Sequence, residues 1–178
     1  MSKKRRLGFV GIAVVVFAGM YSVGAEVQMS DKDAMELKDE FGKQVKDIDA
    51  IGIFTNNFRV AAAMFIPAAG IVVGMVSAYS TGLVFKALAQ TTPQLANITP
   101  LTILVTPFGI MEMFSYGLAM SQSGILINAI VRKQSLKSLL KPTLIQLGIV
   151  AAVLLAGAFI EFYMIQTFKT EIETIQTI

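Results

Sequence analysis

Four long apolar blocks constrain this 178-residue chain more than any other feature of its sequence. They cover residues 7–25, 51–90, 101–131 and 142–168, and each is long enough to cross a bilayer as a helix. Charged residues make up only 15% of the chain, whereas a typical soluble domain carries about a quarter. The sequence therefore predicts an all-α fold, a polytopic transmembrane helix bundle of four or five spans, some of them broken or re-entrant, with one amphipathic extramembrane helix.

The composition also limits the available chemistry. The chain has no cysteine and no histidine, which removes disulfides, thiolate sites and the commonest general base and metal ligand. An intramembrane enzyme would need paired carboxylates or a Ser–Lys arrangement, and no convincing pair occurs. The net charge of +3 is segregated along the chain, so nucleic acid is not an expected partner. We expect no enzyme activity, catalytic residue, cofactor or metal site.

The N-terminal segment predicts an orientation in the cell membrane. Residues 1–6 hold four cations, which favours a cytoplasmic N-terminus, and residues 7–25 are the predicted first transmembrane helix. A cleavable signal peptide is the alternative interpretation, because Val23-Gly24-Ala25 has the small residues of a cleavage site.

Residues 26–50 differ in kind from the apolar blocks. They carry eight acids and four lysines, while Leu37, Phe41, Val45 and Ile48 recur at helical spacing. This pattern predicts an acidic, amphipathic, extracytoplasmic helix with Ser30 as its N-cap. Its apolar face could pack on the protein's own bundle, lie on the lipid surface or receive a partner.

Residues 51–168 are the predicted multi-helix membrane core, and residues 169–178 are a tail. Pro67 should kink or end a first piece of the second block. Small residues let helices approach closely in lipid, and the ones we assign to helix packing are Gly70, Gly74, Ser77 and Thr81. Glu161 lies about one turn from the predicted end of the last helix and is expected at the membrane interface.

Glu112 is the one charged residue between positions 98 and 131, and Pro107 and Gly109 lie just before it. If Pro107 starts a helix, the carboxylate lies in or just past the first turn, near the positive end of the helix dipole. Alternatively it pairs with Asn56, Asn57 or Arg59 of the second block, or it serves as an ion or proton site. Arg59 would otherwise be an interfacial anchor.

Charge also bears on the number of crossings. Four simple crossings would place the cations of residues 132–141 outside, against the positive-inside rule. An even number of crossings within residues 98–131, or a re-entrant hairpin at Pro107–Gly109, would remove the conflict. We therefore expect the N-terminus and the 132–141 cluster inside, and the acidic segment and the C-terminus outside.

Two motifs carry a family resemblance. Phe54-Thr55-Asn56-Asn57-Phe58-Arg59 heads a Gly-rich helix, and Pro107-Phe108-Gly109-Ile110-Met111-Glu112 follows later. Together they resemble the stage II sporulation protein M family of small polytopic membrane proteins, over nearly the whole chain. The resemblance implies signature roles for Asn56, Asn57, Pro107, Gly109 and Glu112.

The chain also departs from the family pattern at two places. Phe108 stands where the family usually has His, so a His–Glu proton relay is not available. Ser80-Thr81-Gly82 stands where many members have an Asn-Gly pair. What the resemblance implies is a protein that acts through other membrane or envelope proteins, with no activity of its own.

The leading functional hypothesis is a non-enzymatic membrane scaffold that contacts the lipid bilayer and protein partners, with a homo-oligomer as a possibility. The alternative is a small transporter or permease-like subunit that uses the intramembrane Glu112 and would need to dimerise.

Overall fold

The computed structural model describes the backbone of residues 3–176 and the side chains of residues 4–167. Within that range there are six α-helices and no strand: α1 (Lys3–Ala25), α2 (Asp31–Gln44), α3 (Ala50–Ala63), α4 (Ala69–Thr91), α5 (Pro107–Val131) and α6 (Lys137–Gln176). Short 3₁₀ helices at Pro93–Leu95 and Pro100–Val105 join α4 to α5. Helices α1, α4, α5 and α6 are long and apolar enough to cross a membrane, which confirms the predicted all-α bundle. Helix α6 continues through most of the predicted tail.

Helix α2 is the amphipathic helix expected from the sequence, and it packs on the protein's own bundle. Ser30 caps it by accepting a hydrogen bond from the Asp33 amide at 3.2 Å. Ala34 is fully buried, and the Lys38 ammonium donates to the Thr91 carbonyl at the end of α4 at 3.4 Å. The sequence left three alternatives for its apolar face: the protein's own bundle, the lipid surface or a partner. In the structure this face packs on the protein's own bundle.

The second apolar block divides into two helices that form a hairpin. Asp49 caps α3 by accepting a hydrogen bond from the Gly52 amide at 2.7 Å. Helix α3 has only 14 residues, or about 21 Å at 1.5 Å per residue. Residues 64–68 then reverse the chain, with Pro67 in the turn and a positive φ of 64° at Ala68. Pro67 therefore ends a first helix, as one of the two sequence-based alternatives had it.

One end of the bundle, which we call the acidic end, carries α2. Tyr21 near the end of α1 donates to the Pro100 carbonyl at 2.7 Å, just before α5 begins. The Gln90 amide near the end of α4 donates to Asp31 at 2.7 Å. The ends of α1 and α4 and the starts of α3 and α5 therefore lie at this end, and α6 runs back toward it.

The opposite end, which we call the basic end, carries the α3–α4 turn. The Ile66 carbonyl in that turn accepts a hydrogen bond from the Ser123 hydroxyl, far along α5, at 2.7 Å. Phe9, early in α1, lies beside Gly124. Residues 4–6 and 132–141 are at this end, and their charged side chains are all basic: Lys4, Arg5, Arg6, Arg132, Lys133, Lys137 and Lys141.

The structure corrects the predicted location of the hairpin. Residues 98–131 contain a 3₁₀ helix and one membrane-length helix, not a re-entrant hairpin or an even number of crossings. Thr106 is extended (ψ 155°) and its hydroxyl accepts a hydrogen bond from the Gly109 amide at 3.1 Å, so it caps α5. Pro107 occupies the first helical position, where proline is favoured, and starts a helix instead of a reversal. The helical hairpin of this structure is instead formed by α3 and α4.

Glycines set the closest helix contacts. A side chain on Gly24 of α1 would overlap the Tyr79 carbonyl of α4, and one on Gly82 of α4 would overlap the Tyr21 carbonyl of α1. On α4 a buried row recurs every four residues and consists of Gly70, Gly74, Ala78 and Gly82. Helix α1 thus supplies part of the core. Cleavage after Ala25, the alternative interpretation of this segment, would remove that part of the core.

Candidate functional site: a carboxylate-lined cavity at the acidic end

Glu112 forms the central polar contact between α3 and α5. It is the sixth residue of α5 and lies past the four N–H groups that a helix start leaves unpaired. The helix dipole acts mainly within the first turn, so it stabilises the Glu112 carboxylate only weakly. The Asn57 side-chain amide of α3 donates to its carboxylate at 2.5 Å. Pairing with an amide of the second block is therefore the arrangement that the structure has. The bond joins residues 55 positions apart and fastens the short helix α3 to α5.

Asn56 and Arg59 do not take part in this contact. A helix turns about 100° per residue, so Arg59 lies about 200° around α3 from Asn57. Both Asn56 and Arg59 are exposed, and no ion pair joins Arg59 to Glu112 within the described residues. The predicted alternative of an Arg59–Glu112 pair is thus wrong. Asn56, Asn57 and Arg59 are close together in the sequence, but the turn of the helix places their side chains on different sides of α3.

The remaining signature residues shape the start of α5. Pro107 is exposed at the first helical position. Gly109 is buried, and a side chain there would overlap the Ile103 carbonyl of the preceding 3₁₀ helix. Without a Cβ at residue 109, the 3₁₀ helix folds back closely on α5, and Glu112 is presented one turn deeper.

Glu112 opens onto a cavity of about 630 Å³ at the acidic end. All six α-helices and the 3₁₀ helix before α5 contribute to its walls, and the α2–α3 connection contributes Asp47 and Asp49. This volume falls within the range of about 300–1,000 Å³ that is typical of small-ligand sites. Below it, Met120 packs directly on Gly74 and the Ser123 hydroxyl bonds to the α3–α4 turn.

Glu161 also lines this cavity, and its predicted position at the membrane interface stays a prediction. Helix α6 continues beyond it to Gln176, while the membrane-length part of α6 ends at Thr167. Its Oε2 atom is buried and makes no hydrogen bond to a described residue. Glu112 and Glu161 therefore share a cavity that Asp47 and Asp49 also line, and no lysine or arginine is among its described lining residues.

Aromatic rings form much of the remaining wall. Phe17 and Tyr116 are 5.3 Å apart between ring centroids, and Tyr21 and Phe85 are 6.5 Å apart. Phe108, which follows Pro107 in the second signature motif, also lines the cavity. The sequence analysis did not identify these aromatic residues as part of a site, because aromatic residues at helical spacing cannot be distinguished by sequence from ordinary core residues.

The residues assigned to helix packing divide into two groups. Gly70 and Gly74 are buried in contacts, with Gly74 against Met120 of α5. Ser77 and Thr81 line the cavity instead. Ala78 and Gly82 complete the packing row, and spacing by four residues from Gly74 was the signal that could have found them.

The described residues contain no group of three or more His, Cys, Asp or Glu side chains able to hold a metal ion. The arrangement is instead that of a concave site with apolar walls and a few polar groups.

Comparison with known proteins agrees with the architecture. No curated protein and no solved structure gives a significant match to the chain. The family model for stage II sporulation protein M matches residues 8–164, which is most of the sequence, from α1 into α6. The order of the motifs, the membrane-length helices and this match agree, and the chain belongs to the stage II sporulation protein M family of membrane proteins.

Proposed function

We propose that the protein is a non-enzymatic membrane scaffold, a partner-binding subunit of an envelope or membrane complex. The observation that carries this proposal is a polar face on α3 that the bundle leaves uncovered. Thr55, Asn56 and Arg59 are all exposed there. No hydrogen bond joins the side chains of Asn56 or Arg59 to the described part of the chain.

The position of Arg59 along the length of the bundle indicates that this polar face needs a partner. Asn57 is level with Glu112, and the α3–α4 turn is level with Ser123, so Arg59 is level with residues near Phe114. That level is about 10 Å along α5 from its first residue, at 1.5 Å per residue. Lipid chains solvate an arginine poorly, and such residues in membrane proteins usually pair with other protein groups. A partner helix with a polar or acidic residue would satisfy this face.

The charge distribution supports an orientation for the complex. Lys and Arg residues are retained on the cytoplasmic side of a membrane, and the basic end is rich in both. The N-terminus, the α3–α4 turn and residues 132–141 would therefore lie on the cytoplasmic side of the cell membrane. The acidic end, with α2 and the cavity, would then face outward. Because α3 and α4 enter and leave from the acidic end, they would form a re-entrant or short double crossing.

Site-specific photocrosslinking in native membranes tests the scaffold. A benzoylphenylalanine replacing Thr55 reports on the polar face, and the same probe replacing Ile149 reports on an exposed apolar face of α6. We expect a defined crosslink to another protein from position 55 but not from 149, weakened when Arg59→Gln is added. Crosslinks from position 55 that reach only lipid, or only the protein itself, would refute the scaffold role.

A transporter-like subunit is the second candidate, favoured by the cavity and by the carboxylate of Glu112 within it. Purified protein in liposomes should then carry an ion or organic cation, and Glu112→Ala should remove the flux. The packing of Met120 on Gly74 below the cavity makes binding the better supported activity.

A further inference from the structure

We propose that the acidic-end cavity is a binding site for an organic ammonium group. The inference concerns the ligand chemistry of the cavity and does not depend on the scaffold role, which is tested at Thr55 and Arg59; of the exposed polar residues on α3, only Asn56 also lines the cavity.

The first argument is charge. Among the described residues, Glu112 has one hydrogen-bond donor, the Asn57 amide, and the buried Oε2 of Glu161 has none. Carboxylate oxygens that are removed from water need a partner, and leaving them without one is costly. The lining offers no described cation to either group, so a positively charged ligand is the missing complement.

The second argument is the aromatic wall. Phe17, Tyr21, Phe85 and Tyr116 line the same cavity as Glu112 and Glu161. Aromatic rings attract ammonium groups through the ring quadrupole, and quaternary ammonium ligands are bound in this manner. The Tyr21 hydroxyl is already engaged by the Pro100 carbonyl at 2.7 Å, which holds its ring in place as a wall.

The same wall disfavours a bare metal ion. Calcium takes six to eight oxygen ligands, and magnesium keeps several waters in an octahedral shell. The cavity lining also includes oxygen-bearing side chains such as Ser77 and Thr81, but the described residues contain no group of three or more acidic side chains able to hold a metal ion, and aromatic rings line the same space. A cation that carries its own alkyl surface fits both features of the cavity.

The ammonium group could belong to a small amine, to a lipid headgroup or to a lysine side chain, because all three present the same chemistry. The cavity reaches the acidic end beside Asp47 and Asp49, so a soluble amine has a route in from that end. The experiment below therefore includes an arm for each source.

Charge-selective thiol labelling tests the site, because the natural chain has no cysteine. Ser77→Cys introduces a single thiol in the cavity wall, and Gln94→Cys introduces one in the exposed loop at the same end. We expect the trimethylammonium methanethiosulfonate reagent to modify position 77 about tenfold faster than the sulfonate reagent, relative to the same ratio at position 94. Adding Glu161→Gln should reduce this preference severalfold, and that variant breaks no described hydrogen bond of the Oε2 atom.

Competition identifies the ligand. Choline should slow labelling at position 77, whereas its uncharged isostere 3,3-dimethylbutan-1-ol should not. Protection by ethylamine, by N-acetyl-lysine amide or by phosphatidylethanolamine in nanodiscs would assign the source. Equal labelling rates for the two reagents in folded protein, or equal protection by choline and its isostere, would overturn the proposal. Neither result would affect the crosslinking test of the scaffold.

Discussion

The hydrogen bond between Asn57 and Glu112 yields the most direct prediction. Replacing Asn57 with Ala removes the single described donor to the carboxylate and leaves Glu112 in a cavity that it shares with Glu161. Hydrogen bonds to charged groups contribute about 1.5–3 kcal/mol in proteins. Interhelical hydrogen bonds in membranes average about 0.6 and reach about 1.7 kcal/mol in double-mutant cycles. Because the Asn57–Glu112 bond joins two helices in the bundle, we expect a coupling energy within that range, about 0.6–1.7 kcal/mol.

The assay is a double-mutant cycle with Asn57→Ala, Glu112→Ala and the double variant, read out by reversible unfolding in mixed micelles. Asn56→Ala is the matched control, because it removes the same side chain one position away, where no bond to Glu112 exists. The control cycle should be additive within about 0.3–0.5 kcal/mol. If the Asn57 cycle were equally additive, the inference that this bond fastens α3 to α5 would be refuted. Glu112→Gln should retain much of the coupling, because its amide oxygen can still accept.

Three further predictions concern packing, capping and topology. Gly24→Ala should destabilise the protein by about 1–3 kcal/mol, because the added methyl group would overlap the α4 backbone. Gly19→Ala in the same helix meets open space and should be neutral or stabilising. Equal melting temperatures for the two variants would contradict this prediction. Thr106→Ala should cost about 1 kcal/mol and speed amide exchange in the first turn of α5, and unchanged exchange there would argue against the cap. Single cysteines replacing Ser135 and Gln94 should react with impermeant reagents from opposite sides of the membrane, and labelling from the same side would contradict the two ends assigned to the bundle.

Local rules account for what was predicted well. The amphipathic segment forms α2 with Ser30 as its cap, and Pro107 starts α5, because capping and hydrophobic periodicity depend on residues within a few positions of each other. The family resemblance is likewise confirmed by the match over residues 8–164. Hydropathy could not resolve α3, because its 14 residues are shorter than a standard span and merge with α4 into one apolar block.

The sequence by itself determined that this chain is a helical membrane protein, where its apolar segments lie, and that a break precedes Glu112. Only the tertiary structure decided that the hairpin belongs to α3 and α4, that Asn57 rather than Arg59 meets Glu112, and that Glu161 shares its cavity. The physical reason is that helix starts and membrane lengths are set by neighbouring residues. Which faces of distant helices meet is set by packing, here by glycines such as Gly24 and Gly82 that let two backbones touch.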